Sequence, residues 1–111
     1  MPELSPGDLV WVAPDAAVGR EQAGRRPALV VAGADYLQQV DALAIVVPLT
    51  SVDRGWPNHV PVAGGGLPSR SWAMTEQVRT VSRDRIVGHA GRADAETLLA
   101  ARAWIRDFLE L

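Results

Sequence analysis

Short apolar runs separated by segments rich in Gly and Pro dominate the first three quarters of this chain. Their Val, Leu, Ile and Trp content and their lengths of three to eight residues predict strands rather than helices. One of these runs contains Pro61, and we expect it to lie at a sheet edge because proline cannot donate a ladder hydrogen bond. The predicted strands are residues 7–12, 26–32, 42–49, 59–62, 72–74 and 76–81.

The rest of the chain predicts one long helix and several loops. Asp94 is a plausible N-cap for a helix over residues 95–109, and one face of that helix carries apolar side chains. These are Leu98, Ala101, Ile105, Phe108 and Leu109. A short helical turn is predicted at 34–39, a long loop at 14–24 and a flexible glycine-rich loop at 64–69. Five or six short strands followed by one amphipathic helix indicate a mostly β fold with a C-terminal helix, a small barrel.

Composition limits the protein to a few classes. With 111 residues the chain is expected to be a single domain, 1–111, with a core of its own. The absence of cysteine excludes disulfides, thiol nucleophiles and thiolate metal sites. No apolar run approaches the roughly 18 residues that span a bilayer, and no signal peptide is recognisable, so a cytoplasmic protein without membrane contact is expected. All 11 basic residues are arginine and the net charge is −2, which argues against broad DNA coating.

The segment between the first two predicted strands carries the clearest candidate chemistry. It reads Glu21-Gln22-Ala23-Gly24-Arg25-Arg26-Pro27. Its arginines present planar guanidinium groups that match phosphate oxygens, so an anionic ligand is expected here despite the negative net charge. Two further blocks are Val46-Val47-Pro48-Leu49-Thr50-Ser51 and Glu76-Gln77-Val78-Arg79-Thr80.

These three blocks, in this order and spacing, resemble those of the MazF/PemK-type toxins, and the resemblance extends from Gly7 to the C-terminal helix. It implies the Src-homology-3-like barrel that the MazF, Kid and CcdB toxins share. It also implies a toxin of a type II toxin–antitoxin system. Such a protein is a sequence-selective endoribonuclease that cuts single-stranded RNA through a 2′,3′-cyclic phosphate and inhibits translation and growth.

The resemblance also implies which residues act. Arg26 and Thr50 occupy the catalytic arginine and threonine positions of the family. Arg26 is a poor general base because the pKa of arginine exceeds about 12, so we assign it to transition-state stabilisation. Glu21 is the nearest carboxylate in sequence, and it is either the base or a group that orients Arg26. Expected RNA contacts are Gln22, Arg25, Ser51, Glu76, Gln77 and Arg79.

The same resemblance implies partners. Besides RNA, these are a second copy of the chain, in a two-fold homodimer, and a cognate MazE-like antitoxin with an acidic, partly disordered segment. Neither a cofactor nor a metal is expected, because the nucleophile is the substrate's own 2′-hydroxyl. His59 and His89 lack metal-ligand spacing, and both are expected in loops or edges outside the catalytic centre.

Two other interpretations compete with the endoribonuclease. A gyrase poison of the CcdB type shares the fold but uses a Trp-Gly-Ile ending, whereas this chain ends Arg106-Asp107-Phe108-Leu109-Glu110-Leu111. A barrel that only binds peptides needs an aromatic-lined groove, and the chain has one Tyr and one Phe. Among the tryptophans, Trp11 and Trp72 are expected in the core or a dimer contact, and Trp56, in a turn, is a candidate for base stacking.

Overall fold

The chain forms one antiparallel sheet with two helices packed on it. The computed structural model describes residues 3–14 and 24–111. In these ranges the strands are β1 Asp8–Val12, β2 Arg26–Val30, β3 Leu43–Thr50, β4 His59–Pro61, β5 Trp72–Met74, β6 Arg79–Ser82 and β7 Ile86–Arg92. The helices are α1 Ala34–Gln39 and α2 Ala95–Leu109, and single 3₁₀ turns lie at Thr75–Gln77 and Arg83–Arg85. The expected mostly β fold with a C-terminal helix is confirmed.

β3 is the central strand of this sheet. The strand order is β4-β5-β3-β2-β1-β7, and β6 pairs with the first half of β3 while β5 pairs with its end. The long apolar sequence of β3 predicts such a central position, since a strand covered on both faces has no polar side. β4 lies at an edge of the sheet, as Pro61 predicts.

The two faces of the sheet carry separate cores, because side chains alternate along each strand. On β1 and β2, Val10 and Ala28 belong to one cluster, while Leu9 and Leu29 belong to the other. The first cluster packs against α1 through Leu37, and the second packs against α2 through Ala101. Burial on both faces explains why the strands read as nearly continuous apolar runs.

The glycine-rich segment after β4 closes the barrel. Gly64 forms a bridge with Ala93, and the amide of Gly66 donates to the carbonyl of Ala90 at 2.8 Å, so the two ends of the sheet meet. A Cβ atom on Gly91 would lie 2.9 Å from the Cα of Gly65. The prediction of a flexible loop at 64–69 missed this role: glycine is used here because two backbones approach closely.

Three further predictions need correction. β7 was not predicted, because its sequence Ile-Val-Gly-His-Ala-Gly-Arg lacks a clear alternation of apolar and polar residues. Glu76 and Gln77 lie in a 3₁₀ turn rather than in a strand, because the chain turns there around the buried Thr75. On α2 the packed residues lie in the first three turns, and Phe108 and Leu109 are 46% and 58% exposed.

Part of one predicted loop lies outside the described residues. It is the segment 15–23, which contains Glu21 and Gln22. Within the described ranges, neither helix has the length and apolar character needed to cross a membrane.

Replacing Gly91 by alanine is expected to lower the free energy of unfolding by about 2–4 kcal/mol. The new Cβ atom would collide with the backbone of Gly65 and Gly66, and the φ of +121° at Gly91 is unfavourable for L-residues. Chemical denaturation followed by tryptophan fluorescence measures the change. Gly33→Ala is the matched control, since a Cβ atom added there would have nothing within 4 Å and φ is −75°. Equal stability of the two variants would contradict the closure proposed for residues 64–66.

Candidate active site

A cavity of about 960 Å³ opens where β2 begins and β3 ends. It lies over one end of the core cluster that packs against α1, because Ala28, Val46 and Val81 belong both to that cluster and to the cavity wall. Its polar lining includes Arg26, Thr50, Ser51, Arg54, Ser69, Ser71, Gln77, Arg79 and Arg85. Four other residues that the sequence predicts at the site therefore line the same cavity as Arg26, namely Thr50, Ser51, Gln77 and Arg79.

The register between β2 and β3 positions the first pair of these side chains. Ala28 pairs with Pro48, and Leu29 pairs with Val47. Continuing this antiparallel register by two residues places Arg26 opposite Thr50. Side chains two residues apart share a face of a strand, and directly opposite residues lie about 4.5–5.5 Å apart. Both residues therefore project into the cavity from neighbouring strands although they are distant in sequence.

The Thr50 hydroxyl is oriented by its own backbone. Its Oγ1 atom accepts a hydrogen bond from the amide of Val52 at 3.1 Å. The oxygen is thereby held in place, and its hydrogen remains available to donate to a ligand oxygen. Thr50 is half-buried and Ser51, which follows it, is exposed. The end of β3 thus offers two hydroxyl groups at the cavity surface.

The charged residues of the described cavity wall are all arginines. They are Arg26, Arg54, Arg79 and Arg85, and no Asp, Glu or His from the described residues lines the wall. The Nε atom of Arg85 donates to the carbonyl of Ala13 at 2.8 Å, which ties this side chain to the end of β1. A concave surface lined by one sign of charge concentrates ligands of the opposite sign. The local charge favours an anion even though the net charge is −2.

Arg25 stands beside the cavity rather than in its wall. Its guanidinium carbon lies 4.6 Å from the ring centroid of Trp11, and Trp11 does line the cavity. A guanidinium over an aromatic face is attracted by the ring quadrupole. Gly24, which precedes it, has a φ of +80° and also lines the cavity, as expected for a glycine that serves backbone geometry near a ligand. Trp11 is thus a half-buried wall residue rather than a core residue, and the alternative expectation of a dimer contact stays a prediction.

Gln77 and Glu76 are adjacent in sequence, but only one of them lines the cavity. Gln77 lines the cavity. Glu76 does not, because its carboxylate accepts hydrogen bonds from Asn58 Nδ2 at 2.8 Å and from His59 Nε2 at 3.1 Å. The Nε2 atom of Gln77 also donates to Oε2 of Glu76 at 3.5 Å. The structure therefore brings Gln77 to the other site residues and leaves Glu76 outside the cavity lining, in contact with Gln77.

The buried partner in that network is His59. Its ring is nearly inaccessible, its Nε2 atom lies 3.1 Å from both oxygens of Glu76, and its buried Nδ1 atom has no hydrogen-bond partner among the described residues. We assign a proton to Nε2, because a ring nitrogen can donate to the acceptor-only carboxylate of Glu76 only when it carries a hydrogen. Burial by itself raises the pKa of Glu76, but the hydrogen bond from His59 and further hydrogen bonds and charge attraction lower the pKa below its ordinary value.

The second histidine belongs to another cluster. His89 lies on the edge strand β7, and its Nε2 atom is 3.3 Å from Oδ2 of the buried Asp8, while Arg92 Nε donates to Oδ1 at 3.2 Å. Both histidines lie outside the cavity lining. In the described part of the chain no group of three or more His, Asp and Glu side chains is arranged to hold a metal ion.

Sequence reasoning did not identify two of the cavity arginines. Arg54 follows the block that ends at Ser51 by three residues, so its proximity was a signal that could have been used. Arg85 offered no such signal, because only the pairing of β1 with β7 brings the 3₁₀ turn Arg83–Arg85 to the cavity. Glu21 and Gln22 lie outside the described residues, although their described neighbours Pro14 and Gly24 both line the cavity.

Comparison with known proteins gives consistent results for the whole chain. A family model described as PemK-like, MazF-like toxin of type II toxin–antitoxin system matches residues 5–109. The endoribonuclease toxin MazF of Escherichia coli K12 is 33% identical over 100 residues, which cover 89% of this chain and 87% of that protein. Crystal structures of MazF and of a MazE–MazF complex from Deinococcus radiodurans have TM-scores of 0.80, at 29% and 32% identity. They cover 100% of this chain and 100% and 99% of their own chains.

The hydrogen bond between His59 and Glu76 predicts a pH-dependent stability. Folding lowers the pKa of Glu76. The carboxylate therefore stabilises the folded state fully above pH 4.5, and this stabilisation is lost as the pH falls through the lower, folded-state pKa. We expect Glu76→Gln to reduce the free energy of unfolding by about 1 kcal/mol near pH 7. The deficit is expected to shrink below pH 4.5, measured by urea denaturation at a series of pH values.

Glu110→Gln, at an exposed position after α2, is the control and is expected to show no such deficit. A Glu76→Gln deficit that stays constant or grows from pH 6 to pH 3 would contradict this role of the carboxylate.

Proposed function

Since this chain belongs to the PemK-like, MazF-like toxin family of type II toxin–antitoxin systems, we infer that it is an endoribonuclease toxin and propose how its cavity cuts RNA. The observation that carries this proposal is the meeting of Arg26 with Thr50 in a cavity whose described charged residues are all arginine. A polyanion fits such a surface. The family membership and the endoribonuclease relatives favour RNA cleavage over a gyrase poison of the same fold.

The proposed reaction is an internal transesterification of single-stranded RNA. The ribose 2′-oxygen attacks the adjacent phosphorus and loses its proton, a new P–O2′ bond forms, and the P–O5′ bond breaks. The products are a 2′,3′-cyclic phosphate and a 5′-hydroxyl, and the departing oxygen takes up a proton. Because the nucleophile belongs to the substrate, the protein needs a proton acceptor, a proton donor and positive charge for the pentacoordinate transition state. We propose that it does this without a metal or a cofactor.

Arg26 and Thr50 are proposed to act on the scissile phosphate itself. The Arg26 guanidinium, always charged and exposed at the cavity, is assigned to stabilise negative charge on the non-bridging oxygens and to donate toward the departing 5′-oxygen. The Thr50 hydroxyl, whose oxygen is held by the Val52 amide, is assigned to donate to a non-bridging oxygen. Donors fixed before the reaction cost no reorganisation in the transition state.

Glu21 is proposed as the proton acceptor. Among the described lining residues there is no carboxylate or imidazole to serve as a base, and Glu21 is three residues from Gly24 in the cavity wall. Glu21 itself lies outside the described residues, so this assignment rests on its position in the sequence and on the family resemblance. A role limited to orienting Arg26 is the other assignment for Glu21, and Glu21→Gln removes the base but retains a hydrogen-bonding partner for the guanidinium.

The remaining site residues are proposed to hold the RNA on either side of the cut. Ser51, Gln77 and Arg79 line the cavity, and Gln77, an amide with both donors and acceptors, suits base recognition. Gln22 and Arg25 are proposed as further RNA contacts of the same segment as Arg26. Glu76 is proposed instead to position Gln77, because its carboxylate is bound to His59 and Asn58.

Two protein partners are proposed with the RNA. A MazE-like antitoxin with an acidic segment would fit the arginine-lined cavity by charge, and would therefore compete with RNA for it. A second copy of the chain is proposed to cover apolar side chains of α2 that the single chain leaves exposed, which are Leu99, Phe108 and Leu109. Stable interfaces bury more than about 1,000 Å² in total.

We propose that the toxin acts in the cytoplasm, where its RNA substrate is found.

An RNA with a single 2′-deoxynucleotide 5′ to the scissile phosphate is expected to resist cleavage completely. Removing the 2′-hydroxyl removes the nucleophile, while the phosphate and bases remain. The measurement is gel analysis of cleavage in EDTA, with the all-ribose oligonucleotide as the matched control and identification of 5′-hydroxyl and cyclic phosphate ends. Cutting of the 2′-deoxy substrate at the same bond, or a requirement for added magnesium, would overturn the mechanism.

Arg26→Ala and Thr50→Val are each expected to lower the cleavage rate by about 10²–10³, which is typical for the loss of one preorganised donor. Thr50→Ser retains the hydroxyl and is expected to keep most of the activity. Arg106→Ala, an exposed arginine in the last turn of α2, controls for loss of charge in general. Single-turnover rates with a saturating amount of enzyme measure the effect, and near wild-type rates for Arg26→Ala would refute the assignment.

A further inference from the structure

Trp56 is a large aromatic side chain that the fold leaves half exposed. It precedes the turn that leads into β4, and 50% of its surface is accessible, whereas Trp72 on β5 is 8% accessible. Val52, four residues earlier in the chain, is also 51% exposed and lines the cavity. An exposed indole next to a cavity lined by arginines is a surface on which a nucleic-acid base can stack.

The ring of Trp56 is held against a rigid support. Its centroid lies 4.7 Å from that of the buried His59, with 50° between the two planes. His59 is fixed by its hydrogen bonds to Glu76. The turn is fixed in addition by Asn58, whose side chain donates to Glu76 at 2.8 Å and whose carbonyl accepts from Thr75 Oγ1 at 2.7 Å. The indole is therefore preorganised, so that little conformational entropy is lost when a base stacks on it.

Positive charge adjoins the indole. The guanidinium carbon of Arg54 lies 5.9 Å from the ring centroid of Trp56, and Arg54 also lines the cavity. The nearest carboxylate in sequence, Asp53, accepts a hydrogen bond from the amide of Gly55 at 3.0 Å and so stabilises the local turn. A base on the indole would thus have a guanidinium beside it that suits the adjoining phosphate.

The chain also connects Trp56 to Thr50, the proposed catalytic threonine. Trp56 is six residues from Thr50, a distance of at most about 20 Å, and the first step of this path is fixed by the hydrogen bond from Val52 to Thr50. An RNA strand that crosses the cavity can therefore reach Trp56 within a few nucleotides of the cut.

We propose that Trp56 and Arg54 form a subsite for a nucleotide that flanks the cleaved bond. The base stacks on Trp56, and Arg54 contacts its phosphate. This subsite rests on the proposed function, because it binds a part of the same RNA strand. It contributes to substrate binding and takes no part in bond cleavage.

The test uses a set of RNA oligonucleotides that share one cleavable sequence and are extended stepwise on the 5′ or the 3′ side. For the wild-type protein, an extension on one side is expected to lower KM by about 5- to 100-fold, the range expected for stacking of one base. Replacing each added nucleotide in turn by an abasic one identifies the stacked position as the one at which KM rises again. This measurement needs no variant protein and is independent of any effect on folding.

Variants then connect that position to the indole. In Trp56→Ala, extension is expected to lower KM only by the part that the Arg54–phosphate contact supplies, and the abasic substitution is expected to add nothing, since both changes remove the same stacking contact. Trp56→Tyr keeps an aromatic face and is expected to retain most of the gain. Leu111→Ala, which removes an exposed apolar side chain that no proposed contact uses, is the control, and thermal unfolding verifies that each variant is folded.

The outcomes separate the subsite from the function on which it rests. If the wild-type protein cuts no RNA, the proposed function fails and the subsite fails with it. If it cuts RNA but Trp56→Ala shows the full wild-type gain on extension, the subsite is wrong and the proposed function stands. Loss of affinity for an acidic antitoxin in Trp56→Ala with unchanged KM values for every RNA would make this surface a protein contact, which also overturns the subsite.

Discussion

The antiparallel register of β2 against β3 is the constraint on which the proposed active site depends. With Ala28 paired to Pro48, the side chains at the start of one strand and at the end of the other fall opposite each other on the same face, which is the position of Arg26 and Thr50. A slip of one residue would turn one of them to the opposite face of the sheet, into the core that packs against α2. The register is held because both faces of β2 and β3 bury apolar side chains.

Closure of the sheet supports this arrangement from a distance. The bridge between Gly64 and Ala93 joins the segment after β4 to the segment after β7, so the strands that carry the site belong to a barrel rather than to an open sheet. At the other end of β7, its pairing with β1 brings the 3₁₀ turn with Arg85 to the cavity wall, next to the end of β1. Positive charge accumulates at one end of the barrel for this reason, although acidic residues outnumber basic ones in the chain as a whole.

The network around His59 and Glu76 connects two parts of the proposed RNA-binding surface. It fixes the 3₁₀ turn from which Gln77 enters the cavity, and it supports the ring of Trp56 on the other side. The carboxylate of Glu76, which the family resemblance implies as an RNA contact, therefore also supports its neighbours in the structure. A histidine without access to solvent suits this role better than proton transfer to a substrate.

The sequence by itself determined the fold class, the central strand, both helices and the three blocks of the site, because long apolar runs and spaced motifs are local signals. Tertiary structure alone decided which of these residues meet. Strand pairing brought Thr50 to Arg26 and added Arg85, and the 3₁₀ turn Thr75–Gln77 placed Gln77 but not Glu76 in the cavity wall. It also decided that Gly64–Gly66 closes the barrel, because the close approach of two backbones depends on strands distant in sequence. β7 was not predicted for the same reason, because its residues form a strand only by pairing with β1.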